Sequence, residues 1–382
     1  MKKLSAIWLL IILGSCQNEE ASRKRNLEVL MSKNHLSIEL DSVTENIHMD
    51  LQGYSMDDDS YLLTLNRKVN SLDVYRLDSG RLLRSIQLAQ TGPEGVGSIG
   101  QFYFHSFDSI FIATMGDPEI DLIDTSGQIL DRIYYETPAE LSTANIAGFY
   151  FPATPLLKNG SLYTKARPVG NNREMTNAKL GSTSLGYRLD LADGDVERFK
   201  INYPEHYLQD GLKAFDYSMT AGAGKVVFSF FGDHNLYWSS DPMDGDLKAV
   251  DAKSRYLPQD LPLFPQDGDR DATYEYLYTS DRYEGILYDR FRKLFYRIAI
   301  PAVDTGQYKD ELRTLAGTPV QASIMVFDED LNLIGEFLTE KNRYVYNNIF
   351  VTREGLWISA CHPFNEENEE DIMKIDLLTL QF

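Results

Sequence analysis

The chain has 382 residues, with 37 Lys and Arg against 57 Asp and Glu and a formal net charge of −20. A hydrophobic share of 43% with 25% charged residues excludes wholesale disorder, and the acidic balance argues against a nucleic-acid partner, which needs a concentrated basic surface. Two cysteines exclude a disulfide scaffold and a zinc site of paired Cys-x-x-Cys motifs.

Lys2 and Lys3 open a stretch that is apolar from Leu4 to Leu13 apart from Ser5, and Leu13-Gly14-Ser15-Cys16 closes it. About ten apolar residues are too few to span a bilayer, which takes roughly 20, so residues 1–15 read as a targeting segment. A hydrophobic residue, two small residues and a cysteine make a lipobox, in which the cysteine thiol takes a diacylglycerol and becomes the new N-terminus. The alternative is an ordinary secretory signal with a chance cysteine beside its cleavage site. The expectation is a lipid on Cys16, a tether over residues 16–34 and one β-domain over residues 35–382. Gln17-Asn18-Glu19-Glu20 lacks the aspartate that retains enterobacterial lipoproteins at the inner membrane. Its acids resemble the surface-export signals of Bacteroidetes lipoproteins, so the expected location is the outer membrane, facing the periplasm or the cell surface. Arg23-Lys24-Arg25 reads as a solvated part of the tether.

From about Leu36 onward the pattern is β. Tyr61–Leu65, Ser109–Ala113, Lys225–Phe230 and Gly355–Ser359 are short, rich in β-branched or aromatic residues and bounded by turn residues. No stretch sustains a helical apolar period beyond a few turns, which argues against a helical bundle. A hairpin unit recurs, in which an Asp-containing turn, usually with Gly, joins two strands. It appears at Asp78-Ser79-Gly80, Asp124-Thr125-Ser126-Gly127, Asp193-Gly194-Asp195 and Asp328-Glu329-Asp330. Asp and Gly suit tight hairpins through side-chain capping and positive φ. Calcium ligation is the functional alternative, but no turn shows the full pattern of alternating oxygen ligands ending in Glu.

Repeated four-stranded units of roughly 40–60 residues imply an all-β propeller. Six blades are expected, near residues 61–88, 101–134, 148–201, 215–250, 273–337 and 347–382, with seven blades or a sandwich as alternatives. A strand over Leu36–Asp50 would complete the last blade and close the ring. Asp304–Thr318 reads as a surface loop.

The lipobox, Thr91-Gly92-Pro93-Glu94-Gly95-Val96-Gly97, the strands over Phe102–Ile112, Leu287-Tyr288-Asp289 with Tyr296-Arg297-Ile298, and Phe350-Val351-Thr352 with His362-Pro363 resemble one group. The resemblance is to the Bacteroidetes lipoproteins of unknown function with a TolB-like six-bladed β-propeller. It implies fold and location, and it carries no activity onto particular residues.

Several apparent motifs carry little chemistry. Gly95-Val96-Gly97-Ser98-Ile99-Gly100 matches G-x-G-x-x-G, but Gly92-Pro93 precedes it and an aromatic strand follows, so a loop between blades is expected instead of a dinucleotide site. The six histidines do not pair at metal-ligand spacing, and neither a metal nor a cofactor is expected. Cys361 reads as a small buried strand residue, and Asp267-x-Asp269-x-Asp271 as a solvated acidic loop. The segment Thr273–Arg297 interleaves tyrosines with arginines. Tyr274, Tyr276 and Tyr278 alternate, so all three are expected to project from one sheet face. With Arg282 and Arg290, and with the backbone of Gly95 and Gly97, they form the candidate surface for a glycan, a peptide or an envelope protein. The competing reading has these aromatics filling the space between blades. On balance the sequence indicates a lipid-anchored binding or scaffold module. The alternative is a propeller hydrolase or lyase acting on an envelope-accessible substrate such as a glycan.

Overall fold

A computed structural model describes residues 28–147 and 151–381. Strand β1 (Glu28–Glu39) is followed by β2 (Leu51–Met56), β3 (Asp59–Asn66), β4 (Ser71–Arg76) and β5 (Leu82–Gln87), which form blade one. Blade two holds β6 (Gln101–Ser106), β7 (Ser109–Ala113), β8 (Glu119–Ile123) and β9 (Ile129–Tyr134). Blade three holds β10 (Leu156–Lys158), β11 (Ser161–Lys165), β12 (Gly186–Asp190) and β13 (Val196–Arg198), with the short helix α1 (Asn177–Gly181) between β11 and β12. Blade four holds β14 (Tyr217–Gly222), β15 (Lys225–Phe230), β16 (Asn235–Ser239) and β17 (Lys248–Asp251). Helix α2 (Arg270–Thr279) then leads into β18 (Arg282–Asp289), β19 (Leu294–Ile300), β20 (Ser323–Phe327) and β21 (Leu333–Leu338) of blade five. Blade six holds β22 (Val345–Val351), β23 (Leu356–Ser359) and β24 (Ile372–Gln381), and β1 is its fourth strand. The molecule is a six-bladed β-propeller. Every pairing within a blade is antiparallel.

The six blades fall where the hairpin repeats place them. The turn acids cap backbone: Asp124 Oδ1 accepts from the amides of Ser126 at 2.8 Å and Gln128 at 3.0 Å. Asp328 Oδ1 accepts from those of Asp330 and Asn332 in the same way.

The closing strand lies further upstream than Leu36–Asp50. β24 is ten residues long, and β1 covers its whole edge from Glu28↔Gln381 to Glu39↔Ile372. An edge of that length left open would template pairing with another chain. β1 stops at Glu39 because Asp41 Oδ1 takes the Val43 amide at 3.1 Å and the Thr44 hydroxyl at 2.7 Å, turning the backbone. Residues 28–34, expected in the tether, are therefore strand. Asp304–Thr318 contains two single-turn 3-10 helices, and it is anchored to the body by the fully buried Leu315.

The core is divided among the seams between blades. One apolar layer joins blades one and two through Leu63, Leu72, Phe102 and Ile110, and another joins blades three and four through Leu185, Phe215, Tyr217 and Phe228. The closing seam packs Ile38, Leu62 and Tyr75 against Phe350, Trp357 and Ile375. At the centre, side chains of the innermost strands reach the backbone of the next blade. Asp50 and Gln52 accept from the amides of Phe102 and Phe104 at 3.0 and 2.6 Å. Gln101 accepts from the Ile146 amide at 2.9 Å, and Ser218 accepts from the Ile286 amide at 3.0 Å. The last seam is a reciprocal pair: the His48 amide donates to Asn348 Oδ1 at 2.9 Å, and Asn348 Nδ2 donates to the His48 carbonyl at 2.6 Å. All of these groups except the half-buried Gln52 are buried, so most of these bonds satisfy a donor or acceptor that water cannot reach.

Two predictions follow from the closing seam. Asn348→Ala orphans a buried amide and a buried carbonyl, and a loss of about 2–4 kcal/mol is expected from urea unfolding; a loss below the error of that measurement would remove the clasp from the account. Burial pushes His48 down to about 4, below its ordinary 6.5, against the weaker opposing pull of a hydrogen bond with the Leu65 backbone and of the Asp73 and Glu45 charges. The folded protein then binds fewer protons than the unfolded chain between those pH values. Stability should fall as pH drops through that window, by a few kcal/mol at most, and level off below it. Urea midpoints for the parent and His48→Gln should converge as pH falls from 7 to 4; curves that run parallel over that range would contradict this origin.

Candidate functional site

Strand direction decides which groups can meet. Each inner strand starts at the end of the ring where blades are connected and finishes at the opposite end, where the first hairpin of each blade turns. Gly92–Gly100 connects β5 to β6, and residues 252–281 connect β17 to β18, so both reach the blade-connection end.

The tyrosine row does not lie on a strand. Tyr274, Tyr276 and Tyr278 belong to α2, which Asp269 caps by accepting from the Ala272 amide at 3.0 Å. Successive turns of helix separate what a strand would align. Tyr276 is 6% exposed and packs with Ala214, Phe231 and Phe264, and its hydroxyl accepts from the Ala214 amide at 3.3 Å. Burial pushes its hydroxyl pKa up. Tyr274 and Tyr278, four residues apart, share the outer helix face with ring centroids 5.5 Å apart. The Arg270 guanidinium lies 5.1 Å and that of Arg313 5.9 Å from the Tyr274 ring. The Asp-x-Asp-x-Asp stretch thus supplies a helix cap, and this cap was the legible signal for α2.

The glycines serve the loop itself. Gly97 has φ +71°, and a Cβ on Gly95 would meet the Thr91 backbone at 2.6–2.8 Å. The Gly95 amide donates to the Gly92 carbonyl at 2.9 Å, and Asn70 Nδ2 donates to the Gly97 carbonyl at 3.0 Å. Arg132 donates to the Gly95 carbonyl at 2.8 Å.

Arg282 and Arg290 occupy opposite ends of β18. Arg282 is 1% exposed; it is paired with Glu284 at 2.7 Å and donates to the carbonyls of Tyr278 and Ser280. Arg290 stands at the first-hairpin end of a central channel of about 360 Å³, lined by the inner strands. The site residues therefore divide between two ends of the ring instead of sharing one mouth.

A larger cleft, about 1230 Å³, lies between blades three and four and holds none of the residues singled out in the sequence. Its walls come from the β13–β14 connection, the turns of blade four and the β17–β18 connection. Arg297, fully buried, donates to the carbonyls of Asp233, His234 and Asn235 at 2.7, 2.5 and 3.2 Å, which fixes the turn that forms one wall. His234 Nδ1 lies 2.8 Å from the Tyr283 hydroxyl and Nε2 lies 3.0 Å from the Gln259 carbonyl; burial is the main force lowering its pKa. Lys213 packs on Gly232 of the same turn and sits 3.6 Å from Asp210 and 5.6 Å from the Tyr207 ring, and the exposed His206 also lines the cleft. Leu261 and Leu263 add apolar surface. No spacing rule in the sequence links residues 200–213, 232–237 and 259–263; only closure of the ring brings them together. Among the described residues, no three His, Cys, Asp or Glu side chains are grouped to hold a metal ion. Cys361 is buried, which pushes its thiol pKa up. Cys16 lies outside the described residues.

Residues 26–338 match the family designated as a domain of unknown function, DUF4221. The chain belongs to this family. A crystal structure of a DUF4221 member from Bacteroides vulgatus ATCC 8482 is 21% identical, with a TM-score of 0.83, covering 94% of this chain and 99% of that one. A presumed exported protein from Bacteroides fragilis NCTC 9343 is 12% identical with a TM-score of 0.54, covering 93% and 96%. Both likenesses speak to fold. No curated protein matches the chain. The DUF4221 match ends with β21, while the Bacteroides vulgatus structure is covered almost completely, so the sixth blade belongs to the shared fold.

The helix geometry separates two tyrosines that the sequence grouped together. Tyr276→Ala should cost about 3–5 kcal/mol by emptying a buried aromatic site, whereas Tyr274→Ala should stay within about 0.5 kcal/mol. Equal losses in chemical denaturation would contradict the placement of Tyr276 in the interior.

Proposed function

We propose that this DUF4221 protein is a lipid-anchored cell-envelope module that works by binding, with the cleft between blades three and four as its ligand surface. The observation that carries this reading is the cleft itself. At about 1230 Å³ it exceeds the usual range for compact metabolites. Its lining alternates fixed polar groups with tyrosine and leucine faces, which suits an extended polar ligand such as a glycan or a peptide.

Anchoring is supported by the lipobox ending in Cys16 and by the exported designation of the Bacteroides fragilis relative. Among the described residues no helix is long and apolar enough to cross a membrane. β1 begins at the first-hairpin end of the ring, and Cys16 to Glu28 spans at most about 40 Å of extended chain. In this reading the first-hairpin end faces the outer membrane, and the blade-connection end, with α2 and the upper cleft wall, faces away.

Two experiments test the proposal. Metabolic labelling with a fatty acid should mark the parent and fail to mark Cys16→Ala, which should also leave the membrane fraction; label retained in that variant would refute anchoring at Cys16. Glycan and peptide arrays probed with the full chain should yield a ligand that is recovered chemically unchanged. His206→Ala with Lys213→Ala should weaken its binding about tenfold or more without lowering Tm. Ligand turnover, or affinity indifferent to that double change, would overturn the binding reading of the cleft.

A further inference from the structure

The central channel is a second cavity, separate from the cleft. Its lining comes from the innermost strands of five blades and from the segment that precedes β10 of blade three, and small residues, among them Gly53, Ala147 and Ala221, keep it slender. Gly53 marks how close the backbones come, since a Cβ there would meet Phe350 at 2.5 Å and the Val351 carbonyl at 2.7 Å. The upper wall is apolar, with Pro152, Leu287 and Ile349.

The mouth of this channel holds a guanidinium that the protein leaves unneutralised. In a chain with 57 acids, Arg290 makes no ion pair among the described residues. One Nη2 donor goes to the Ser55 carbonyl at 3.1 Å, and its Cζ lies 4.8 Å from the Phe291 ring. That leaves a face of the fork free. The neighbouring Arg292 is different: it pairs with Asp289 at 2.9 Å and donates to the carbonyls of Thr352 and Arg353. Tyr103 and His105 stand on β6 of blade two, across the channel from β18, and neither side chain has a hydrogen-bond partner among the described residues. The Tyr103 hydroxyl is mostly buried and within the field of Arg290.

We infer that the first-hairpin mouth of the channel binds a small organic monocarboxylate, with its carboxylate on Arg290 and the Tyr103 hydroxyl and its apolar body in the channel. A guanidinium fork matches a carboxylate in two-bond geometry. A cavity of about 360 Å³ is near the small end of ligand pockets, so the body is a single aromatic ring or a short branched chain. This inference needs neither the anchor nor the cleft.

Calorimetric titration of the full chain with phenylacetate, phenylacetamide and inorganic phosphate tests it. Phenylacetate should bind once per chain, with affinity that falls as salt rises. The amide and phosphate should bind about tenfold more weakly or not at all. Arg290→Gln should lose about tenfold or more and Tyr103→Phe a smaller factor, both with parental Tm, because Arg290 is exposed and Tyr103 keeps its ring. The cleft double variant His206→Ala with Lys213→Ala should bind phenylacetate as the parent does. Equal binding of acid and amide, phosphate binding more tightly than phenylacetate, unchanged affinity in Arg290→Gln, loss of binding in the cleft variant, or no phenylacetate binding at millimolar concentration would each overturn it.

Discussion

The reciprocal bonds between His48 and Asn348 close a circle that no single blade could hold. A four-stranded blade has two exposed faces and two edges, and it is stable only between neighbours. The first and last blades of an open row would leave an apolar face bare. Closure removes both faces at once: Ile38, Leu62 and Tyr75 meet Phe350 and Trp357, and β1 covers the edge of β24. The strand that does this comes from the N-terminus while the other three come from the C-terminus, so the two ends of the chain hold each other. Everything described above inherits its position from that closure.

The circle also imposes a polarity. Because each inner strand runs the same way, residues at its start and at its finish are separated by the depth of the ring. Arg282 and Arg290 show the consequence within one strand. The first is buried, neutralised by Glu284 and used to hold the end of α2; the second is exposed, unpaired by any described acid and set at the mouth of the central channel. The same residue type eight positions along the chain thus does structural work at one end and offers recognition chemistry at the other. The cleft depends on the ring in another way, because its walls belong to three connections that only adjacent blades bring into register.

Much of the fold was legible because propeller hairpins leave local marks. The turn residues of Asp124–Gly127 and Asp328–Asp330 are fixed by backbone capping, a constraint written into four residues, and the strands on either side alternate or run apolar as buried strands must. Six blades could be counted from these marks. The limits of β1 could not, since they depend on the length of β24 at the far end of the chain. Helix α2 was missed because Tyr274, Tyr276 and Tyr278 alternate like a strand, and β-propensity outweighed the cap at Asp269. Of the candidate site, Arg290 could be named from the sequence, though its end of the ring could not. The cleft was invisible, since its polar groups come from three separate stretches of chain and none repeats a motif.

The account rests on β1 and the C-terminal strands forming one cooperative closure, and native-state hydrogen exchange followed by mass spectrometry reads this directly. The amides of Leu36–Glu39 and their partners in β24 should exchange only through global unfolding, with the same protection and the same denaturant dependence as β23 in the centre of the blade. Exchange of β1 many times faster than β23, with a shallow denaturant dependence, would show that the N-terminal strand opens on its own and that the ring holds without it.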